Sequence, residues 1–255
     1  MKKLKKIIRE LPVIGPIVIK SAHAVGYKRP KTNYTFKRVI FNGENKNFQF
    51  IQTTNLLNYS KTSGSFYAAS NFPAGYHTLK VLGKELKGRR NPKQRLEQTA
   101  LDFKNKSVLD IGSNQGGMLF EITDQIKWGV GIDYDHRMVN VSNKITQVES
   151  IQNLDFFTFN LENEPLGLIN DFLPEKKVDI IFLLAVCRWI KNWREVIDFC
   201  AEISDNLLIE TNGSDEQQAQ QKAYFEKIYT SINPISKHSS DDPERDDRKL
   251  FICKK

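Results

Sequence analysis

The residues best placed to do chemistry form one short stretch, residues 108–118, with the sequence VLDIGSNQGGM. An apolar run leads to Asp110, and Gly112 and Gly116 follow it closely. This order predicts a buried strand that ends in a carboxylate, then a glycine-rich turn, then the start of a helix. Glycines in such a turn let backbone N–H groups approach a ligand closely. The stretch therefore predicts a nucleoside-cofactor site; the alternative is a tight turn in another kind of α/β protein.

The carboxylate of Asp110 indicates which cofactor would suit this turn. A dinucleotide presents its pyrophosphate here, and a carboxylate would repel that anion. Asn114 stands where a middle glycine is usual, but asparagine tolerates the left-handed backbone conformation, so the turn remains feasible. We therefore expect a ligand that carries positive charge, such as the ammonium and sulfonium groups of S-adenosylmethionine.

A second acid follows at the spacing that a ribose contact requires. Residues 129–133 (GVGID) predict a short buried strand that ends in Asp133, 21 residues after Gly112. At about this distance, an acid in nucleotide-binding folds reaches the ribose hydroxyls, and a carboxylate can accept both hydroxyl protons. The alternative is a solvated acid at a strand end.

Further apolar runs predict the rest of the sheet. Residues 154–160, 178–186 and 206–211 are strand-like and are separated by helical stretches, which is typical of a parallel sheet buried on both faces. Residues 249–253 predict a final edge strand. The predicted fold class is α/β, a Rossmann-like doubly wound and mostly parallel sheet with an antiparallel C-terminal edge strand.

Residues 100–255 resemble the class I S-adenosylmethionine-dependent methyltransferases, most specifically in VLDIGSNQGG, GVGIDYD and VDIIFLLAVCRWIKNW. In that family the first motif holds the methionine part of the cofactor, the acid after the second strand holds the ribose, and its neighbour lines the adenine. An acid after the third strand often contacts the adenine amino group, and here Asn160 takes that position. The resemblance implies S-adenosylmethionine as the cofactor and the following cofactor-binding residues: Asp110, Gly112, Ser113, Asn114, Gly116, Asp133, Tyr134, Asn160, Leu161 and Leu184.

The catalytic residues are harder to identify. Many members that methylate oxygen carry a histidine after the fourth strand, whereas this chain has Cys187, Arg188 and Trp189 there. Arginine cannot act as a base at neutral pH, so Arg188 is a candidate to bind a phosphate or carboxylate of the acceptor. Trp189 is interpreted either as core packing or as part of the site. The remaining candidate bases are Glu210, after the fifth strand, and His77.

Charge is distributed unevenly along the chain. The net charge is +8, yet residues 1–40 contain eleven Lys or Arg and a single acid, so the rest is nearly neutral. We interpret residues 1–40 as a basic amphipathic arm that lies on an anionic membrane surface; the alternatives are a signal peptide, a solvated tail, or a segment that packs on the domain or a partner. The nine-residue apolar run at 11–19 is too short to span a bilayer.

The segment at 41–99 is expected to form a lid and substrate wall before the cofactor domain at 100–255. It contains an aromatic stretch (65–78) and a basic cluster, Lys84 to Arg95, which would bind an anionic substrate or form a solvated loop. We expect methyl transfer to a hydroxyl of a small molecule or glycan in the cytoplasm, with the enzyme either free there or bound peripherally at the inner membrane face. An RNA methyltransferase is the alternative enzyme, and a non-catalytic cofactor-binding protein at the membrane surface is the alternative of another class. The cysteine and histidine spacings predict no metal site.

Overall fold

The computed structural model describes residues 46–236 and 248–255. All of them belong to one compact unit, Tyr34–Lys255. The predicted basic arm (1–40) and the charged stretch at 239–247 lie outside the described residues. The expectations for the arm therefore remain predictions.

The described strands are numbered in chain order. They are β1 (Leu79–Val81), β2 (Lys84–Leu86), β3 (Ser107–Ile111), β4 (Trp128–Asp133), β5 (Leu154–Thr158), β6 (Ile180–Leu184), β7 (Asn206–Glu210), β8 (Ser231–Ser236) and β9 (Leu250–Lys254). The described α-helices are α1 (Lys46–Ser60), α2 (Pro92–Glu97), α3 (Gly117–Ile122), α4 (His136–Val148), α5 (Trp193–Ile203) and α6 (Asp215–Phe225). Short 3-10 helices lie at Phe66–Ala68, Leu166–Phe172 and Cys187–Trp189.

The main sheet has the strand order β5-β4-β3-β6-β7-β9-β8. The first five strands are parallel, and β9 is antiparallel to both of its neighbours. The predicted Rossmann-like α/β class is confirmed. The C-terminal strand is antiparallel as expected but lies one position inside the edge, because β8 covers it. The sequence of β8 contains Pro234 and lacks an apolar run, and an edge strand tolerates both features.

The parallel strands are apolar on both faces, as their sequences predict. In β3, Leu109 and Ile111 pack in one apolar cluster with helix α5. Val108, on the opposite face, packs in a second cluster with residues of α2 and α3. Because both faces of the sheet are covered, the polar groups of this region concentrate at the strand ends.

The segment before the cofactor domain packs directly on it. Leu57 of α1, Leu79 and Val81 of β1, and Val141 and Ile145 of α4 form one buried apolar cluster. Strands β1 and β2 form a small antiparallel hairpin. The chain from 61 to 78 is thereby held beside the carboxyl ends of β3 and β4. Within the described residues, no helix is long and apolar enough to cross a membrane.

Candidate cofactor and acceptor site

A cavity of about 540 Å³ opens at the carboxyl ends of β3, β4 and β6. Ligands of open α/β sheets bind at this edge, where the connections leave the strands. One part of the cavity is formed by the glycine-rich turn and the end of β4, and another by the lid segment and the residues after β6. Among the described residues, its lining comprises Ser65, Tyr67, Tyr76, Gly112, Asn114, Ile132, Asp133, Tyr134, Asp135, Met138, Phe159, Asn160, Leu161, Glu162, Leu184, Ala185, Val186, Trp189 and Ile190.

The glycine-rich turn has the conformation that its sequence predicts. Gly112, Asn114 and Gly116 all have positive φ angles, of 81°, 50° and 74°. A Cβ added at Gly112 would lie 2.7 Å from Cγ2 of Val186, which lines the cavity. Asn114 therefore tolerates the left-handed conformation as expected, whereas the space at position 112 requires glycine.

Asp133 ends β4 and lines the cavity, as the spacing argument predicts. Its Oδ2 accepts a hydrogen bond from the backbone N–H of Asn114 at 2.8 Å, and its Oδ1 accepts from the N–H of Asp135 at 2.9 Å. Burial raises the pKa of this carboxyl to about 6, and the two backbone hydrogen bonds oppose that rise. The carboxylate is thus oriented by the glycine-rich turn and is mostly ionised at neutral pH.

Asp110 lies beneath the cavity and does not line it. Its side chain is buried on the face of β3 that packs toward α2, and its Oδ2 has no hydrogen-bond partner among the described residues. Burial raises its pKa to about 7, while the nearby Arg95 lowers it and Asp133 raises it further. Ser113 and Gly116 also belong to the turn without lining the cavity, so these three residues support the site from behind.

The residues predicted for the adenine and methyl positions do line the cavity. Tyr134 follows Asp133 and is 60% exposed at the rim. Asn160 and Leu161 follow β5, and Leu184 ends β6. The side-chain Oδ1 of Asn160 accepts a hydrogen bond from the N–H of Glu162 at 3.0 Å, which leaves a second acceptor site on that oxygen.

Aromatic residues form another part of the cavity wall. The ring of Tyr67 meets that of Tyr76 edge-on, with centroids 5.3 Å apart, and that of Trp189 edge-on at 5.4 Å. Trp189 is 49% exposed, so its interpretation as core packing is wrong. The aromatic composition of residues 65–78 was a usable signal for this wall, but which of its members face the cavity could not be predicted.

Glu210 is a structural residue and not the predicted base. It is 2% exposed and does not line the cavity. Its carboxylate forms ion pairs with Arg90 at 3.3 Å, with Arg248 at 3.2 Å, and with Arg95. A carboxylate held by three guanidinium groups is stabilised in its ionised form, so it is poorly suited to accept a proton.

The same cluster changes the interpretation of the basic stretch from Lys84 to Arg95. Arg90 and Arg95 are buried in ion pairs with Glu210. For these two residues, both earlier interpretations, a solvated loop and a binding site for an anionic substrate, are therefore wrong. Helix α2 begins at Pro92, with Asn91 as its N-cap, and ends at Glu97.

His77 and Arg188, the other catalytic candidates, do not line the cavity. His77 is buried against the start of α3, where a Cβ on Gly117 would lie 2.5 Å from the His77 Cβ. Arg188 is exposed beside the rim, and its guanidinium carbon lies 5.3 Å from the ring centroid of Trp189. Arg188 therefore remains a candidate for contact with an acceptor, whereas His77 has a packing role.

Gln115 is a buried residue behind the cavity whose role could not be predicted from the sequence. It lies in the glycine-rich turn, and its side chain is hydrogen-bonded to the lid segment. A polar residue between Asn114 and Gly116 was visible in the sequence, but its partners are about 40 residues away along the chain. Among residues 46–236 and 248–255, no group of three or more His, Cys, Asp or Glu is arranged to hold a metal ion.

Comparisons with known proteins agree with this geometry. A family profile described as "Methyltransferase domain" matches residues 85–241. No curated protein sequence matches the chain. The crystal structure of the N-terminal domain of EvdMO1 in the presence of SAH and D-fucose has a TM-score of 0.55 at 10% identity, and the alignment covers 69% of this chain and 89% of that one.

Two more solved structures share the fold at low sequence identity. A crystal structure of EvdMO1 has a TM-score of 0.54 at 11% identity, with 69% of this chain and 43% of that one covered. WbdD, co-crystallised with the kinase inhibitor LY294002, has a TM-score of 0.50 at 17% identity, with 66% and 42% covered. The profile match spans more than half of the chain, so the chain belongs to the methyltransferase domain family and is an S-adenosylmethionine-dependent methyltransferase.

Proposed function

We propose that this chain transfers the methyl group of S-adenosylmethionine to a hydroxyl of a small molecule or glycan. The observation that carries the proposal is the continuity of the cavity. It extends from the glycine-rich turn and Asp133 to the aromatic wall of Tyr67, Tyr76 and Trp189. One cavity therefore has room for a nucleoside cofactor at the turn and for part of a small acceptor beside it.

The residues present fit this cofactor. The Cβ-free space at Gly112 allows close approach to the backbone, and the unpartnered Oδ2 of Asp110 behind the turn favours positive charge nearby. In this proposal Asp133 accepts the ribose hydroxyls, Tyr134, Asn160 and Leu161 surround the adenine, and Leu184 lies near the reactive end. When bound, S-adenosylmethionine supplies a methyl group on a positively charged sulfur.

The task left to the protein is to orient the acceptor and exclude water. Besides Asp133, which is assigned to the ribose, the carboxylates of the cavity lining are Asp135 and Glu162, and both are engaged in local structure. Asp135 caps α4 and accepts a hydrogen bond from Ser63 at 2.6 Å, and Glu162 accepts one from the N–H of Lys191 at 2.9 Å. The hydroxyl of Tyr67 is itself buried, so the polar groups that this wall offers to an acceptor are the hydroxyl of Tyr76 and the indole N–H of Trp189. We assign to them the hydrogen bonds that orient the acceptor.

A sugar is the acceptor that this wall suits best. The half-exposed indole of Trp189 offers an apolar face with a polar edge, which fits a ring that carries hydroxyls. EvdMO1, which shares the fold, was crystallised with D-fucose. An RNA acceptor has less support, because Arg90 and Arg95 of the basic stretch are committed to Glu210.

Calorimetry with S-adenosylhomocysteine tests the cofactor half of the proposal. The variant Asp133→Asn should weaken binding by about 1–3 kcal/mol, the usual effect of losing a charged hydrogen-bond partner. Asp155→Asn, an exposed acid on β5, is the matched control and should bind like the wild type. Equal binding by Asp133→Asn and the wild type would contradict the assigned ribose contact.

Transfer of a labelled methyl group tests the acceptor half. The enzyme is incubated with labelled S-adenosylmethionine and either a panel of sugars and sugar nucleotides or total RNA. Label in a sugar, at a position that resists mild base as an ether does, would support the proposal. Label in RNA alone would contradict it. Liposome binding by the full chain, compared with a chain lacking residues 1–40, separately tests the predicted membrane contact of the arm.

A further inference from the structure

The glycine-rich turn is attached to the aromatic wall through one side chain. Gln115 lies between Asn114 and Gly116 and is fully buried, with 0% exposure. Its Oε1 accepts hydrogen bonds from the backbone N–H groups of Tyr76 at 3.1 Å and His77 at 3.3 Å.

The amide nitrogen of Gln115 completes the connection. Its Nε2 donates to the carbonyl oxygen of Ala74 at 2.9 Å and to Oγ of Ser60 at 3.2 Å. A primary amide offers two acceptor and two donor positions, so all four are used. The orientation of the amide is also defined, because the N–H donors require its oxygen and the carbonyl requires its nitrogen.

The lid chain is shaped to receive this side chain. A Cβ on Gly75, whose φ is 88°, would lie 2.8 Å from Nε2 of Gln115. Only glycine lets the backbone pass so close to the amide. Two further hydrogen bonds hold the lid segment: Asn114 of the turn donates weakly to the carbonyl of Tyr67 at 3.4 Å, and Ser63 donates to Asp135, the N-cap of α4, at 2.6 Å.

On the other side, the turn holds the residue assigned to the ribose. The N–H of Asn114 donates to Asp133, and the next residue along the chain is Gln115. A continuous path of hydrogen bonds therefore runs from Asp133 through the turn to Tyr76, whose ring contacts that of Tyr67 in the aromatic wall.

We infer that Gln115 is a positioning residue that couples occupation of the cofactor site to the placement of the aromatic acceptor wall. This inference rests on the proposed function, because it takes the wall to be the acceptor site. Order imposed on the turn by a bound cofactor is transmitted to the lid segment by the four hydrogen bonds of the Gln115 amide, one of which is formed with Tyr76. The acceptor site is complete only when the turn is ordered.

Hydrogen exchange of the intact chain, with and without S-adenosylhomocysteine, tests this coupling. The amides of Tyr76 and His77 report directly, since both donate to Gln115. With free ligand at about 100 times its Kd, linkage slows exchange by up to about a hundredfold for amides that open only when the ligand leaves. We expect slowing of this order at 74–79 in the wild type.

The comparison variants are Gln115→Met, which keeps the length of the side chain but removes its hydrogen bonds, and the exposed control Gln125→Met. We expect Gln115→Met to bind the ligand without slowing exchange at 74–79, and Gln125→Met to behave like the wild type. Ligand binding with no slowing in the wild type, or equal slowing in Gln115→Met, would overturn the inference. If Gln115→Met does not fold, hydrogen exchange of the wild type with and without the ligand remains the test, and exchange that is not slowed at 74–79 overturns the inference. Failure of the folded wild type to bind the ligand would instead overturn the proposed function.

Discussion

The substitution Glu210→Gln separates a structural role for this residue from the catalytic role that its position suggests. Glu210 is buried and supplies the carboxylate for guanidinium groups from three places in the chain. Arg90 precedes α2, Arg95 lies within α2, and Arg248 precedes β9. Glutamine has nearly the same shape, so the substitution removes the charge and leaves the volume unchanged.

The expected effect is a large loss of stability. Breaking a buried ion pair by removing one partner costs about 3–5 kcal/mol, because the remaining charge is left uncompensated. For a chain of 150–250 residues each kcal/mol lowers Tm by about 2–4 °C, so a fall of at least about 6 °C follows. Any loss of turnover should parallel the loss of folded protein.

Urea unfolding followed by circular dichroism measures this change in the free energy of unfolding. Glu216→Gln, in the exposed first turn of α6, is the matched control and should shift it by less than about 0.5 kcal/mol. S-adenosylhomocysteine affinity is measured on the folded fraction and should change little. A variant of wild-type stability that binds the ligand normally but has lost turnover would refute the structural role and restore Glu210 as the base.

Three more predictions concern pH and the acceptor wall. Below about pH 6, the affinity of the wild type for S-adenosylhomocysteine should fall roughly tenfold per pH unit, because burial raises the pKa of Asp133 to about 6 and the ribose contact needs the ionised form. In calorimetry, the affinity of Asp133→Asn should not show this fall. Burial raises the pKa of Asp110 to about 7 from an ordinary value of 3.8, so its contribution to stability is present below pH 3.8 and is lost as the pH rises through 7. Between pH 5 and pH 8 the free energy of unfolding, measured in urea, should therefore fall by about 3 kcal/mol more in the wild type than in Asp110→Asn. Equal falls in the two proteins would contradict the raised pKa. Trp189→Ala should change the affinity for S-adenosylhomocysteine by no more than about twofold and should lower the rate of methyl transfer about tenfold or more, since an aromatic contact contributes about 1 kcal/mol beyond its buried area. A loss of cofactor affinity would instead indicate that Trp189 contacts the cofactor and not the acceptor.

Much of the cofactor side follows from local sequence. The strands, the positive φ of Asn114 and the acid at the end of β4 are all decided within a few residues, by apolar runs, glycine positions and strand length. The predicted strand at 178–186 is observed as Ile180–Leu184, so even its bounds were nearly correct.

The predictions from sequence that were wrong or missing concern residues whose roles depend on partners far away in the chain. Glu210 and His77 have residue types suited to acid–base chemistry, and their positions near strand ends and the lid favoured that role. Nothing local distinguishes a glutamate facing an acceptor from one facing Arg90, 120 residues earlier in the chain. Strand β8 was missed for a similar reason, because its pairing with β9 and not its own sequence defines it.

The sequence by itself determined the fold class, the glycine-rich turn and the acids beside it, because short-range periodicity and backbone conformation decide these features. Only the tertiary structure decided that Trp189 is exposed at a cavity, that Glu210 is buried among arginines, and that Gln115 binds the lid. Each of these depends on contacts between segments far apart in the chain, and the same side chain is catalytic or structural according to what the folded chain places opposite it.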